Sequence, residues 1–146
     1  MIALLRSVPI FAGLEENALE LLLEHAKAHE HPENGVIICE GETCNAFYLI
    51  GSGSVRVFKN FGKTDQVELV TLGSKDFFGE SAILDTLPRM ATVQAAAPTT
   101  VFTISSMAFH HLYQTMPAQH SILVLNIARD LSRRIRALDT ALAARQ

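Results

Sequence analysis

Hydrophobic positions fall into three textures along the chain. From Leu14 to Lys27, apolar Leu14, Ala18, Leu19, Leu22 and Leu23 recur at helical spacing, with Glu15, Glu16, Glu20 and Glu24 between them. This predicts an amphipathic helix with acids toward its positive end. Pro9 and Gly13 break the chain before it, so Ile2 to Arg6 is at most a short separate turn. From Pro32 to Ile104 the pattern shortens into β-rich runs: Val36–Cys39, Ala46–Ile50, Ser54–Phe58, Val67–Leu72, Ala91–Ala95 and Thr100–Ile104. Asn34-Gly35, Gly41, Gly51-Ser52-Gly53, Asn60 to Asp65 and Gly73 punctuate these runs, with Gly51-Ser52-Gly53 reading as a hairpin turn. Alternation in Val55-Arg56-Val57 and Val67-Glu68-Leu69 predicts strands with one buried face. Evenly spaced short strands with such turns predict an antiparallel sandwich or barrel, interrupted by a helical turn at Glu80 to Leu84.

The third texture starts at Pro117, a residue suited to a helix start, and runs without Gly or Pro from Ala118 to Ala144. Such a helix is roughly 40 Å long. Val124, Ala128, Leu131, Ile135, Leu138 and Leu142 follow one another at intervals of four and three, a heptad seam. Ile122, Leu123, Leu125 and Ile127 add a second apolar face in the first half. The first half can therefore pack on the barrel while the seam meets a second copy, which predicts a homodimer. The division expected is residues 1–116 as the β-rich unit with its N-terminal helices and 117–146 as the long helix.

Composition narrows the class. The chain has 146 residues, 49% hydrophobic and 18% charged, which suits one domain and excludes wholesale disorder. No apolar run reaches the roughly 18 residues of a membrane span, and there is no secretion signal, so the expected location is cytoplasmic and off the membrane. A net charge of −3 argues against direct nucleic-acid binding. Arg129, Arg133, Arg134, Arg136 and Arg145 make the C-terminal end basic, by default a solvated helix face. Cys39 and Cys44 read as reduced free thiols.

Candidate chemistry gathers between Phe77 and Val93. Gly79 permits close backbone approach to a ligand, and the helical turn after it presents free N–H groups suited to an anion. Glu80 can accept hydrogen bonds from hydroxyls, and Arg89 can fork onto phosphate oxygens. The same two residues also suit a plain structural ion pair.

The register of the stretch decides between these readings. Phe78-Gly79-Glu80, Ala82-Ile83-Leu84, Pro88-Arg89 and Ala91-Thr92-Val93 resemble the phosphate-binding cassette of the cyclic nucleotide-binding domain family, in a form similar to that of protein kinase A regulatory subunits. Pro9 to Leu14, Asn34-Gly35, Gly41-Glu42, Phe47 to Ile50 and Gly53-Ser54-Val55 resemble other family elements, and the long helix resembles the dimerisation helix of catabolite activator-type regulators. Lys75 stands where the family often has Gly. The resemblance implies a mainly β fold with flanking helices: an antiparallel β-roll or jelly roll, a short cassette helix and the long C-terminal helix. It implies that Arg89 pairs with a cyclic phosphate and Glu80 binds the ribose 2′-hydroxyl. Backbone groups of Gly79, Ser81, Ala82 and Ala91 would complete those contacts, while Val57, Leu69, Leu72 and Phe78 line the pocket. Met90, which offers no hydroxyl to a guanine, leans the ligand toward cAMP over cGMP. Arg133 or Arg134 would reach the ligand from the helix.

The remaining candidates are thin. His25, His29 and His31 cluster near the end of the first predicted helix, where histidines suit the helix dipole better than a metal. His110-His111 has no acidic or cysteine companion nearby, and no metal is expected. A cupin-like enzyme would need histidines on the strands, and the predicted strands hold none. A receptor for a cyclic dinucleotide or haem fits poorly with an intact Glu80 and Arg89. The expectation is a non-enzymatic, stand-alone cyclic nucleotide receptor that signals by conformational change to an effector protein. The alternative is the sensor part of a catabolite activator-type transcription regulator without its DNA-binding domain.

Overall fold

Short runs of β-branched and aromatic residues pair into two four-stranded antiparallel sheets in the computed structural model. It describes residues 1–43, 45–84 and 87–145. The Cys44 thiol, the Asp85-Thr86 part of the cassette and Gln146 lie outside the described residues. The element order is α1 (Ile2–Arg6), a 3-10 turn (Pro9–Phe11), α2 (Glu16–Leu23), β1 (Lys27–His31), β2 (Val36–Ile38), β3 (Ala46–Ser52), β4 (Ser54–Lys59), β5 (Val67–Gly73), β6 (Phe77–Phe78), α3 (Ser81–Leu84), β7 (Thr92–Ala95), β8 (Thr99–Ser105), α4 (Ser106–Thr115) and α5 (Pro117–Ala144). One sheet runs β1-β8-β3-β6 and the other β2-β7-β4-β5. The expected mainly β roll with a cassette turn and a long last helix is the fold observed. Among the described residues, no helix is long and apolar enough to cross a membrane.

The period of two in the strands splits the core into two layers. Phe47, Leu49, Phe77 and Ile104 face the helices, where they meet Leu19, Leu22, Phe109, Leu112, Leu123 and Ile127. Ile50, Val55, Leu72, Phe78, Val93 and Val101 face the interior of the roll. Phe77 and Phe78, adjacent in sequence, therefore point into different layers. Phe47 anchors the helical layer, with ring centroids 5.4 Å from Phe77, 5.6 Å from Phe109 and 6.2 Å from Phe11.

Four sequence expectations change. First, β1 lies where a helix was expected to end. Its Lys-Ala-His-Glu-His run is mostly exposed and is held by backbone pairing with β8, Lys27 opposite Thr103 through His31 opposite Thr99. A strand fixed by its ladder instead of by a buried face leaves no hydrophobic alternation to read. Second, α4 was not anticipated; the Ser105 hydroxyl caps it by accepting from the Ala108 N–H at 3.3 Å. Third, β3 and β4 belong to different sheets, so Gly51-Ser52-Gly53 is a crossing between sheets and not a hairpin. At Gly53, φ is +90° and a Cβ would lie 2.5 Å from the Pro98 carbonyl oxygen, so only glycine fits. Fourth, β5 has no buried face along Val67-Glu68-Leu69: Val67, Leu69 and Val70 are exposed, and only Leu72 is buried. β5 is an edge strand paired to β4 alone.

Phe47→Ala removes a fully buried ring shared by three aromatic neighbours. Chemical denaturation of this variant is expected to show a loss of about 3–5 kcal/mol in folding stability.

Candidate functional site

Arg89 sits just ahead of β7 and is only 7% exposed. Its backbone is tied on both sides to the turn after β2: its N–H donates to the Glu42 carbonyl at 2.8 Å, and its carbonyl accepts from the Gly41 N–H at 2.8 Å. Nη2 of the guanidinium donates to the Ala46 carbonyl at 2.7 Å. Cζ lies 5.7 Å from the centroid of the Tyr48 ring, which itself stacks on Phe78 at 4.8 Å. Nη1 is buried and has no hydrogen-bond partner among the described residues. An unpaired donor on a buried cation is costly, and an anion placed there can satisfy it.

Gly79 makes this arrangement possible. Its φ is +76°, and a Cβ there would stand 2.7 Å from Arg89 Nη1 and 3.0 Å from the Ala46 carbonyl oxygen. The missing side chain lets the guanidinium lie against the Gly79 backbone. Gly79, Glu80, Ser81, Arg89, Met90 and Ala91 together line one side of a cavity of about 170 Å³. Val57, Leu72 and Phe78 line its apolar side, and Arg134 of α5 reaches its edge. A second, almost wholly apolar groove of about 280 Å³ continues from it, sharing Val57, Val70, Leu72 and Arg134 and adding Leu69, Ala137 and Leu138.

Most expected site residues therefore meet in one place. Leu69 lies in the adjoining groove instead of the cavity. The Ala82 side chain packs into the helical core and its N–H is already given to the Gly79 carbonyl at 3.1 Å, so it is not a free donor. Arg134 is engaged by the protein: Nε pairs with Asp130 at 2.8 Å, Nη2 donates to the Phe77 carbonyl at 3.3 Å, and Cζ lies 4.3 Å over the Phe77 ring. It ties α5 to β6, while Arg133 is exposed. Ile38, Val70 and Val93 also line the cavity; nothing in a single strand's alternation distinguished them from plain core. On α5, Ile135, Leu138 and Leu142 are exposed, Ala128 is exposed, and Val124 and Leu131 are half-buried, Leu131 against the helical core.

The histidines are rearranged by the fold. His29 and His31 lie on β1, so the strands do carry histidine, and His25 precedes them in a turn. His29 Nε2 lies 3.3 Å from the Thr103 hydroxyl. Partial burial, together with the neighbouring His29, holds the His31 imidazole below its usual range. Burial does the same to His120, aided by His110. Among the described residues no group of three His, Cys, Asp or Glu side chains could hold a metal ion.

Comparison with known proteins agrees with this geometry. Residues 28–116 match the family described as the cyclic nucleotide-binding domain. The chain is 28% identical over 138 residues to the cyclic AMP receptor protein of Thermus thermophilus, covering 94% of this chain and 62% of that protein. It is 35% identical over 108 residues to a cAMP-dependent protein kinase regulatory subunit of Yarrowia lipolytica, covering 74% of this chain and 28% of that one. A solved cyclic nucleotide-binding domain from Methylobacillus flagellatus superposes with a TM-score of 0.84 at 20% identity, covering 99% of this chain and 81% of that one. The chain thus spans about three fifths of the Thermus protein and little more than a quarter of the Yarrowia subunit.

Gly79→Ala places a methyl group on the Arg89 guanidinium in a left-handed backbone conformation. Denaturant titration is expected to show a loss of about 1–2 kcal/mol.

Proposed function

The chain belongs to the cyclic nucleotide-binding domain family, and from that premise we propose that it is a receptor for a cyclic nucleotide, cAMP in preference to cGMP, and not an enzyme. The observation that carries the reading is the buried Arg89 guanidinium, with Nη1 unpaired among the described residues beside Gly79 in a cavity that also holds Glu80. A cyclic phosphate carries one negative charge and two free oxygens, which satisfy Nη1 and neutralise the cation. The Glu80 carboxylate accepts from the ribose 2′-hydroxyl, and backbone groups of Gly79, Ser81 and Ala91 complete the polar contacts. The base lies along Val57, Leu72 and Phe78, with its outer edge toward the apolar groove at Leu69. Met90, 77% exposed, turns its thioether outward and offers no hydroxyl to the base.

Signalling follows from the connection between β6 and α5. Arg134 joins α5 to the Phe77 carbonyl, and two residues later Gly79 opens the ligand side of the cavity. A ligand that draws Gly79 and Arg89 together moves the anchor of α5, which requires different affinities for the two arrangements. The β-roll unit of residues 1–116 senses, and the helix of 117–146 passes the movement to a second copy and to an effector protein in the cytoplasm. Ala128, Ile135 and Leu142, with Val124, Leu131 and Leu138, form the homodimer seam. A second reading is the sensor part of a catabolite activator-type regulator. It is favoured by the match to the Thermus receptor over 94% of this chain, α5 included.

Titration calorimetry with cAMP and cGMP tests the receptor. The wild type is expected to bind cAMP more tightly, and Arg89→Ala to lose about 2–5 kcal/mol of binding free energy. Binding by Arg89→Ala equal to wild type overturns the reading. For the dimer, sedimentation of Ile135→Glu/Leu142→Glu is expected to give a folded monomer where the wild type gives a dimer.

A further inference from the structure

We propose that Lys59, held by Glu40, is a positioning residue that aims the Met90–Ala91 peptide N–H at the ligand phosphate. The inference rests on the cyclic nucleotide reading above and names a part of that site which the cavity itself does not contain.

Lys59 closes β4, and its Nζ donates to the Met90 carbonyl at 2.7 Å. No peptide bond among the described residues is cis. In a trans peptide the C=O and N–H point in opposite directions. Ala91 lines the cavity and Lys59 does not. A carbonyl drawn outward onto Lys59 therefore leaves the Ala91 N–H on the cavity side, next to Arg89.

Lys59 is itself fixed. Glu40 Oε2 pairs with Nζ at 3.2 Å, and Glu40 Oε1 accepts from the Asn60 N–H at 3.0 Å. The Glu40 N–H donates to Thr92 Oγ1 at 3.0 Å, which ties the same residue to β7. The Asn60 N–H and then the Lys59 ammonium, with Lys63 also near, hold the Glu40 carboxyl below the usual carboxylate range. An exposed ion pair of this kind contributes little to folding on its own. Its third member gives it a purpose: the bond to Met90 sets the orientation of the peptide immediately after the phosphate-binding arginine. With Glu42 and Gly41 holding both backbone groups of Arg89, the short segment 89–91 is pinned from outside the site at three points.

Calorimetric titration of the full chain with 3′,5′-cyclic AMP, paired with the melting temperature of the ligand-free protein, tests this role. Lys59→Met is expected to bind about tenfold more weakly, the order of one hydrogen bond to a charged group, while its melting temperature stays within about 2 °C of wild type. Lys59→Arg, which keeps a cationic donor, is expected to restore most of the affinity. Glu40→Gln decides between positioning and simple charge. It removes a negative charge near an anion site, so a through-space effect tightens binding, whereas loss of the pin weakens it. Unchanged affinity in Lys59→Met, tighter binding in Glu40→Gln, or an affinity loss that tracks the melting temperature overturns the proposal. If the wild type binds and Arg89→Ala does not, while Lys59→Met binds as wild type, the positioning role falls alone. If the wild type does not bind, the receptor reading falls and takes this inference with it.

Discussion

A guanidinium taken out of water must be compensated from every side. Arg89 is the buried charge around which this structure is arranged. The Ala46 carbonyl at the start of β3 takes one nitrogen, the Tyr48 ring flanks the group, and Gly79 gives up a side chain to make room for the other nitrogen. These partners come from β3 and from the turn after β6, while Arg89 itself stands ahead of β7, so the two sheets must be in place before the charge is tolerable. Among the described residues Arg89 Nη1 is left without a partner, and on that donor the proposed anion site rests.

Much of this was legible before folding. The family resemblance carried by Phe78 to Val93 implied that Glu80 and Arg89 share one cassette, and both line the cavity. The long helix was legible because 28 residues without an interior break leave little choice. What was not legible has physical reasons. β1 is polar and depends on the β8 ladder, so it carries no hydrophobic period. The crossing at Gly53 looks locally like a hairpin; only pairing partners far away in sequence show that the two strands separate. Arg134 was named through the resemblance of the long helix, and it does line the cavity; what one dimension does not display is how the protein already holds it. Its partners are Asp130, four residues back, and a carbonyl 57 residues back. Lys75 shows a departure being absorbed: its φ is +74°, the conformation glycine takes most easily, and the lysine accepts it.

Phe77 and Phe78 join the two halves of the molecule. Phe77 packs under Arg134 and against Phe47 in the helical layer, while Phe78 stacks on Tyr48 inside the roll. Because the peptide between them is rigid, a shift of one ring is felt by the other. The helical layer and the cavity lining consequently share a single two-residue strand.

The reach of α5 turns that connection into leverage. Arg134 lies ten residues before the helix ends at Ala144, so about 15 Å of stiff rod extends past the hydrogen bond that ties it to β6. Pivoting there through about 10° swings the tip by about 3 Å. That displacement is comparable to half the spacing of helical turns, which in the proposed dimer is enough to take knobs out of the holes of the partner helix. In the proposed receptor, a small movement around Arg89 is thereby enlarged along α5 to the scale on which helices change partners.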